Sequence, residues 1–364
     1  MNVRPVTRNT QLATRNMKTL FYGITGYTGE LILEEAQRRN FKPIIAGRNE
    51  GKVKALAERF DLPFRVFDLE NDDILNDNLS DIDLVLHCAG PFHFTTRPMI
   101  HACLRNYVHY LDLSGRVEGF EYAHSLNEQA VKQQIMLMPG VGFDVVPSDC
   151  LVAHLHQQLP DATHLTLAIA MKNGGVSRGT ALSTIENLPN GATIRKNGKI
   201  VTVPLGQKTR TFQFGNWHES ICATAPWGDV STAFYTANIP NVEAYLATTE
   251  KGANMMRLTT KLKWLLKNPI VKSIAKTIIK TRPAGLSPND RLQSESYFYA
   301  EVISKKGEKK SATLKVKDAY ENTAQVAVHI VKKIVNGNYN IGFQTPGGCF
   351  GAELILEIEG SVLV

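Results

Sequence analysis

The chain has 364 residues, 43% hydrophobic and 21% charged, a globular composition that excludes a mainly disordered or collagen-like polymer and, at roughly one domain per 150 residues, predicts two domains. Of its net charge of +7, residues 251–291 supply ten Lys and Arg against one acid, Asp290, a local +9 that leaves −2 elsewhere. With the excess confined to one segment and no recognisable nucleic-acid module, no nucleic-acid partner is expected.

Residues 1–16 contain Arg4, Arg8 and Arg15 and no acid, a bias shared with mitochondrial transit peptides. Because Met17 runs straight into an apolar stretch, the segment reads more simply as a disordered extension or an upstream start. There is no apolar run with a small-residue cleavage site, no stretch of about 18 apolar residues, and a mean hydropathy of -0.16, so neither secretion nor a spanning helix is expected. Cys88, Cys103, Cys150, Cys222 and Cys349 are scattered without zinc-ligand spacing. They read as core residues of a protein in a reducing compartment, the cytoplasm, and no metal is expected.

From Thr19 to Leu137 short apolar runs alternate with amphipathic stretches. The runs are 20–24, 43–46, 64–67, 84–88, 108–113 and 135–138. The rhythm predicts an α/β fold, a Rossmann-type doubly wound parallel sheet, with a second α+β domain behind it. The expected division is 17–145 for the nucleotide-binding domain, 146–345 for a substrate or dimerisation domain, and 346–364 for a C-terminal segment that returns to the first. Within the second domain a helix is predicted over 147–159, strands over 163–171, 200–203, 210–214 and 297–303, a turn at Asn197-Gly198, and a helix over 320–335.

Directly after the first run stands Gly23-Ile-Thr25-Gly26-Tyr27-Thr28-Gly29, and a helix begins behind it. G-x-x-G-x-x-G is a spacing variant of the dinucleotide signature: glycines for a tight turn, for backbone approach to a pyrophosphate and for close helix packing. The second strand ends not in the carboxylate that would bind the NAD ribose but in Gly47-Arg48, whose guanidinium suits the 2′-phosphate of NADP. NADP is therefore expected ahead of NAD. Asp68 closes the third strand, either near the adenine or as a turn former. Ala89-Gly90-Pro91-Phe92 follows the fourth strand, at the sheet edge where ligands bind.

Two further constellations are Tyr110-Leu-Asp112-Leu-Ser114-Gly115 and Gly142-Phe143-Asp144-Val-Val-Pro147-Ser148-Asp149. In one reading Asp112, Asp144 and Ser148 lie near the nicotinamide as binders or proton-relay groups. In the other the second motif is a sharp crossover whose Ser148 and Asp149 cap the next helix.

Taken in order, Y-G-x-T-G-Y-T-G, A-G-R, A-G-P-F, Y-x-D-L-S-G and G-F-D-x-V-P-S-D resemble the saccharopine dehydrogenase-like oxidoreductases, and within them are most similar to the trans-acting enoyl reductase branch. His87 departs from that pattern, where relatives often carry a small or amide side chain. The resemblance continues more loosely through Val176–Thr184, Gly285–Arg291 and Thr345-Pro346. It implies an N-terminal Rossmann domain binding NAD(P), an α+β domain over the cofactor, hydride transfer at a carbon centre, and a homodimer through the second domain.

Enoyl reduction of an acyl or lipid-linked substrate is the leading expectation. A carbon-nitrogen dehydrogenase acting on an amino-acid adduct, and a non-catalytic NADPH-bound scaffold, are the alternatives. Candidate proton donors are Asp144, Ser148, Tyr110, Arg178 and His93; carboxylate-bearing substrates would want Arg97, Arg116 and Arg178. The basic segment 251–291 reads as two amphipathic helices broken near Pro269, with Leu258, Leu262, Leu265, Val271, Ile274 and Ile278 against Lys261, Lys263, Lys267, Lys272, Lys276 and Lys280. Two readings stand: a peripheral contact with the inner membrane face, or a pair packed on the second domain with solvated lysines.

Overall fold

The computed structural model describes residues 17–187, 191–262, 264 and 268–364. Residues 1–16, with Arg4, Arg8 and Arg15, and Lys263, Leu265 and Lys267 lie outside the described residues.

Six short runs form parallel strands: β1 (Thr19–Tyr22), β2 (Ile44–Gly47), β3 (Phe64–Val66), β4 (Leu84–His87), β5 (His109–Asp112) and β6 (Met136–Met138). β1, β4, β5 and β6 are buried at every position, as parallel strands covered on both faces must be. The edge strand β3 instead leaves Phe64 and Val66 about two-fifths exposed.

The second half builds a mixed sheet from β7 (Ala162–Lys172), β8 (Ala192–Lys196), β9 (Lys199–Val203), β10 (Thr209–Phe214), β11 (His218–Thr224), β12 (Asn241–Ala247), β13 (Glu295–Ser304) and β14 (Lys309–Lys317). Then β15 (Gly342–Phe343) returns to the first sheet beside β6, while β16 (Val362–Leu363) pairs with β14 in the second. The orders are β15-β6-β5-β4-β1-β2-β3 and β10-β11-β12-β7-β13-β14-β16, with the hairpin β8-β9 attached to β12. The first is the doubly wound order, with its switch point between β1 and β4. The return to the first sheet thus precedes 346–364.

Several elements follow the sequence closely. The hairpin β8-β9 turns on Asn197 and Gly198, both at positive φ, the geometry a two-residue hairpin of this twist requires. The helix Val146–Gln158 begins with Pro147 in its first turn. Its N-cap is Val145, with no side-chain cap, so Ser148 and Asp149 do not cap it; they lie inside the first turn, buried.

The helix Ala319–Val335 is sheathed in protein along most of its length and joins the two sheets. The cluster that begins with Phe21, Ile32 and Leu33 under the first sheet continues through Val326 and Ile330 into Leu167, Ile169 and Phe298 of the second. One continuous core therefore fixes the sheets relative to each other, and no rearrangement can separate them without exposing that cluster.

Gly29 shows how tightly the nucleotide-loop end is built, since a β-carbon there would collide with the backbone of Ile24. Backbone cannot step aside, so Gly29→Ala is expected to lose ~2 kcal/mol, read as a lower urea midpoint. Gly26→Ala, with nothing within 4 Å of its β-carbon, is expected to leave the midpoint unchanged.

Candidate functional site

The site begins at the C-terminal edge of the parallel sheet, where β1 gives way to the helix Tyr27–Arg38. Gly23 stands at φ +82 and a side chain on it would strike Ala89, so the loops after β1 and β4 touch through that glycine. Thr25 and Thr28 are half-buried in the loop. Gly26 is the helix N-cap, makes no side-chain cap bond, and is open above. Unpaired N-H groups at an uncapped N-terminus beneath free space fit a pyrophosphate.

After β2, Arg48 is exposed and makes no hydrogen bond or ion pair among the described residues. Tyr22 senses both it and Asp68: burial first, then the Asp68 charge, raise the Tyr22 pKa to about 12, against Arg48. Asp68 therefore lies near the same corner, exposed, its Oδ1 accepting from the Glu70 amide at 3.0 Å. Across the switch point, Gly90-Pro91 is a cis peptide and Pro91 caps the helix Phe92–Asn106. Phe92 turns inward, edge-on to His87. His87 is fully buried, with neither ring nitrogen hydrogen-bonded among the described residues, and burial lowers its pKa to about 3. It is a neutral packing residue.

The loops after β5 and β6 are held by one carboxylate. Asp112 is fully buried and accepts from the Tyr110 hydroxyl at 2.6 Å and from the amides of Ser114 and Gly140 at 2.9 Å each. Burial raises its pKa against those bonds. Asp112 thus faces the loops rather than open space, and Tyr110 with it: the phenol is fully buried, its pKa driven well up by burial and by Asp112. Neither is placed to meet a substrate.

Asp144 is different. It is exposed to water and accepts no hydrogen bond among the described residues, yet protein surrounds it closely, and desolvation raises its pKa to about 6. Only a glycine fits opposite: a β-carbon on Gly115 would come within 2.9 Å of Asp144 Oδ2. Four residues on, Ser148 is fully buried and donates to Asp229 Oδ2 at 2.7 Å. Asp149 accepts from the Thr236 hydroxyl and the Gly347 amide, each at 2.6 Å. Of this motif, Asp144 alone reaches open space as a titratable group; Ser148 and Asp149 tie the helix to its neighbours.

Residues of the second half close the site. The Tyr27 hydroxyl donates to Leu286 O at 2.9 Å and accepts from Arg291 at 3.2 Å, and its ring meets Tyr320 edge-on at 5.1 Å. The Tyr320 hydroxyl accepts from the Ser177 amide at 2.6 Å, and one turn later Thr323 Oγ1 accepts from the Phe143 amide at 3.1 Å. The first turn of Ala319–Val335 therefore holds together the nucleotide loop, the start of the helix Arg178–Asn187 and the segment bearing Asp144.

Arg178 is exposed but donates to Lys280 O at 3.3 Å. His93 is exposed; its pKa is lowered by partial burial and then by Arg116, Lys272 and Lys276, against Glu186, so those charges lie within its reach. Tyr320, Thr323 and Glu186 were not singled out by the sequence. Asp318 with Glu321 three residues later is a capping-box spacing that marks the helix start but not the surfaces its first turn would join.

Residues 19–138 match the family described as the saccharopine dehydrogenase NADP binding domain. The chain is 24% identical over 200 residues to a Homo sapiens saccharopine dehydrogenase-like oxidoreductase, covering 50% of this chain and 44% of that one. It is 27% identical over 154 residues to a Mycobacterium ulcerans trans-acting enoyl reductase, covering 40% and 37%. The matched region spans about half the length, or less, of these relatives. Among solved structures, saccharopine dehydrogenase (L-Glu forming) from Saccharomyces cerevisiae superposes with a TM-score of 0.64 at 12% identity over 96% of this chain and 100% of that one, a likeness of fold. Over residues 19–138 the resemblance read from the sequence, and the NADP-binding character of that first domain, are borne out.

The Asp144 shift carries a stability consequence. With a folded pKa of about 6 above an unfolded value of about 3.9, the carboxyl costs nothing well below pH ~4, where both states hold the proton, and its destabilisation grows from there to about pH 6 and stays constant above. Asp144→Asn is therefore expected to raise Tm at pH 8 and leave it nearly unchanged at pH 4; equal Tm at both pH values would contradict the placement.

Proposed function

We propose that this chain, which carries the saccharopine dehydrogenase NADP binding domain over residues 19–138, is an NADP-dependent oxidoreductase acting on an unsaturated acyl or lipid-like substrate, as an enoyl reductase does. The observation that carries the reading is Asp144, an accessible, unpartnered carboxyl at the nucleotide-loop edge of the sheet, its pKa raised to about 6. The Gly23–Gly29 loop would hold the pyrophosphate, Arg48 the 2′-phosphate, and the Ala89–Phe92 loop would flank the nicotinamide half. Bound NADPH supplies the hydride.

Saturating a carbon-carbon double bond also needs a proton at the α-carbon. Asp144 gives up its carboxyl proton there and recovers one from the water that reaches it. Tyr110 and Ser148 are too deeply buried for that duty.

Selectivity follows from the cations. An amino-acid adduct would need free guanidinium groups for its carboxylates, yet Arg97 lies 4.4 Å over the Tyr122 ring, Arg116 pairs with Glu118 at 3.3 Å and Arg178 is engaged by Lys280 O. Lys272 and Lys276 are both paired with Glu186. These groups are each engaged by the protein itself, which supports an acyl chain over an adduct that needs several free guanidinium groups.

NADPH consumption with α,β-unsaturated acyl thioesters is the test, set beside NADP-dependent oxidation of amino-acid adducts. Turnover only with the adducts would replace this reading by carbon-nitrogen chemistry; tight NADPH binding with neither would make the chain a non-catalytic nucleotide-bound protein. Arg48→Ala is expected to weaken NADPH at least ~10-fold while leaving NADH unchanged, one charge-assisted contact being lost. Asp144→Asn is expected to lower kcat ~100-fold and to remove the fall in kcat as pH rises above about 6.

A further inference from the structure

The helix Pro269–Lys280 buries Ile279 on its inner side yet carries a second apolar row on the outside. Ile270, Ile274 and Ile278 recur at four-residue spacing on its outer face and are 69%, 57% and 57% exposed. Thr277, exposed as well, lies between the last two. Two of its three lysines point inward: Lys272 meets Glu186 of the helix Arg178–Asn187 at 3.0 Å, and Lys276 pairs with the same carboxylate. That double pairing holds the Glu186 pKa near 2.

A helix with solvated lysines and buried isoleucines would show the reverse. Nearby in the chain, Trp264 is 70% exposed, and the helix Glu250–Lys261 exposes Met255 and Leu258 on the side that also bears Lys251 and Lys261. Each of these apolar side chains stays more than two-fifths exposed.

We propose that this face docks the chain onto an anionic lipid bilayer, with Ile270, Ile274 and Ile278 seated among the headgroups and the surrounding lysines and arginines drawn to lipid phosphates. Charge selects that occupant. Lys251, Lys261, Lys280 and Arg282 are exposed on this part of the surface, so a second copy meeting the same face in an isologous dimer would set like charges against each other. A nucleic acid would satisfy the charge but has no use for a row of isoleucines. An anionic membrane satisfies both, apolar side chains entering the interface while basic ones meet its surface potential.

No described helix is long and apolar enough to cross a membrane, so the contact lies on the surface. On the Lys272–Lys276 side of the same helix opens a cavity of about 340 Å³ lined by Pro269, Lys272, Ser273 and Lys276. His93 at the start of the helix Phe92–Asn106 is within electrostatic reach of both lysines. The docking itself does not depend on the reaction proposed above.

Flotation of the full chain with vesicles of phosphatidylcholine and phosphatidylglycerol, beside vesicles of phosphatidylcholine alone, tests it. Wild type is expected to float with the anionic vesicles and to stay in the buffer with the neutral ones. Ile270→Ser/Ile274→Ser/Ile278→Ser and, separately, Lys280→Glu/Arg282→Glu are each expected to cut the bound fraction at least tenfold without changing Tm. These side chains are exposed, so the fold should survive; if the triple variant melts early, the charge variant alone decides.

Wild type left in the buffer with both vesicle types would overturn the proposal, as would equal binding to both. A dimer in light scattering that the triple variant dissolves, without vesicle binding, would assign the face to a second copy instead.

Discussion

The first turn of Ala319–Val335 is the constraint on which the site depends. Asp318 caps it, its Oδ1 accepting from the amides of Tyr320 and Glu321 at 2.9 and 3.1 Å, and that cap sets which residues emerge on which side. Tyr320 then faces the nucleotide loop and Ser177, while Thr323 faces Phe143. Behind that turn, Val326, Ile330 and Ile334 are fully buried, so the helix cannot shift to relieve a poor contact at its tip. A rigid core element thereby places three otherwise separate segments: the glycine loop, the Asp144 segment and the start of Arg178–Asn187. Positioning of this kind, by a packed helix rather than by the loops themselves, is what a reaction between two bound groups needs.

Four aspartates near the sheet edge illustrate how environment divides roles. Asp112 is buried with three donors and joins two loops. Asp149 and Asp229 are both buried at the helix Val146–Gln158, and burial and their mutual charge raise the pKa of Asp229 well above the usual range. Hydroxyls of Ser148 and Thr236 answer them. Such pairs, desolvated and near each other, cannot both be ionised cheaply. Only Asp144 combines access to water with desolvation, and it does so because Gly115 leaves the room beside it. A group buried like Asp112 is mechanically useful and chemically silent; one placed like Asp144 can exchange a proton.

The sheet was legible because parallel strands buried on both faces write themselves as uninterrupted apolar runs, and β1, β4 and β5 begin and end within two residues of those runs. The glycine loop was legible for a local reason too: Gly23 and Gly29 answer contacts that backbone geometry imposes, while Gly26 stands open at the helix start. β11, β12 and β14 were not, since strands of a mixed sheet draw their pattern from neighbours distant in sequence; β14 reads Lys-Lys-Ser-Ala-Thr-Leu-Lys-Val-Lys and owes its pairing to β13. Within the site, residue type did not separate Asp144 from Ser148 or Tyr110. Asp144 lies in the turn before Val146–Gln158 and stays in the open, whereas Ser148 lies inside that helix's first turn and is buried. Tyr27 looked like a cofactor contact and is engaged by Leu286, Arg291 and Tyr320, partners more than 250 residues away.

The basic segment carries the same lesson about composition and placement. Lysines at helical spacing are usually the solvated face, and isoleucines the packed one. Here Glu186, on a helix that starts beside the nucleotide loop, reverses the assignment by binding Lys272 and Lys276 from within. Once those two lysines are taken inward, rotation about the helix axis is fixed, and Ile270, Ile274 and Ile278 have no route to the core. The pair of bonds to one carboxylate therefore does two things at once. It neutralises one unit of the positive charge that the two lysines bring within reach of His93. It also commits an apolar row to the outside of the molecule, where only a partner with apolar depth can cover it.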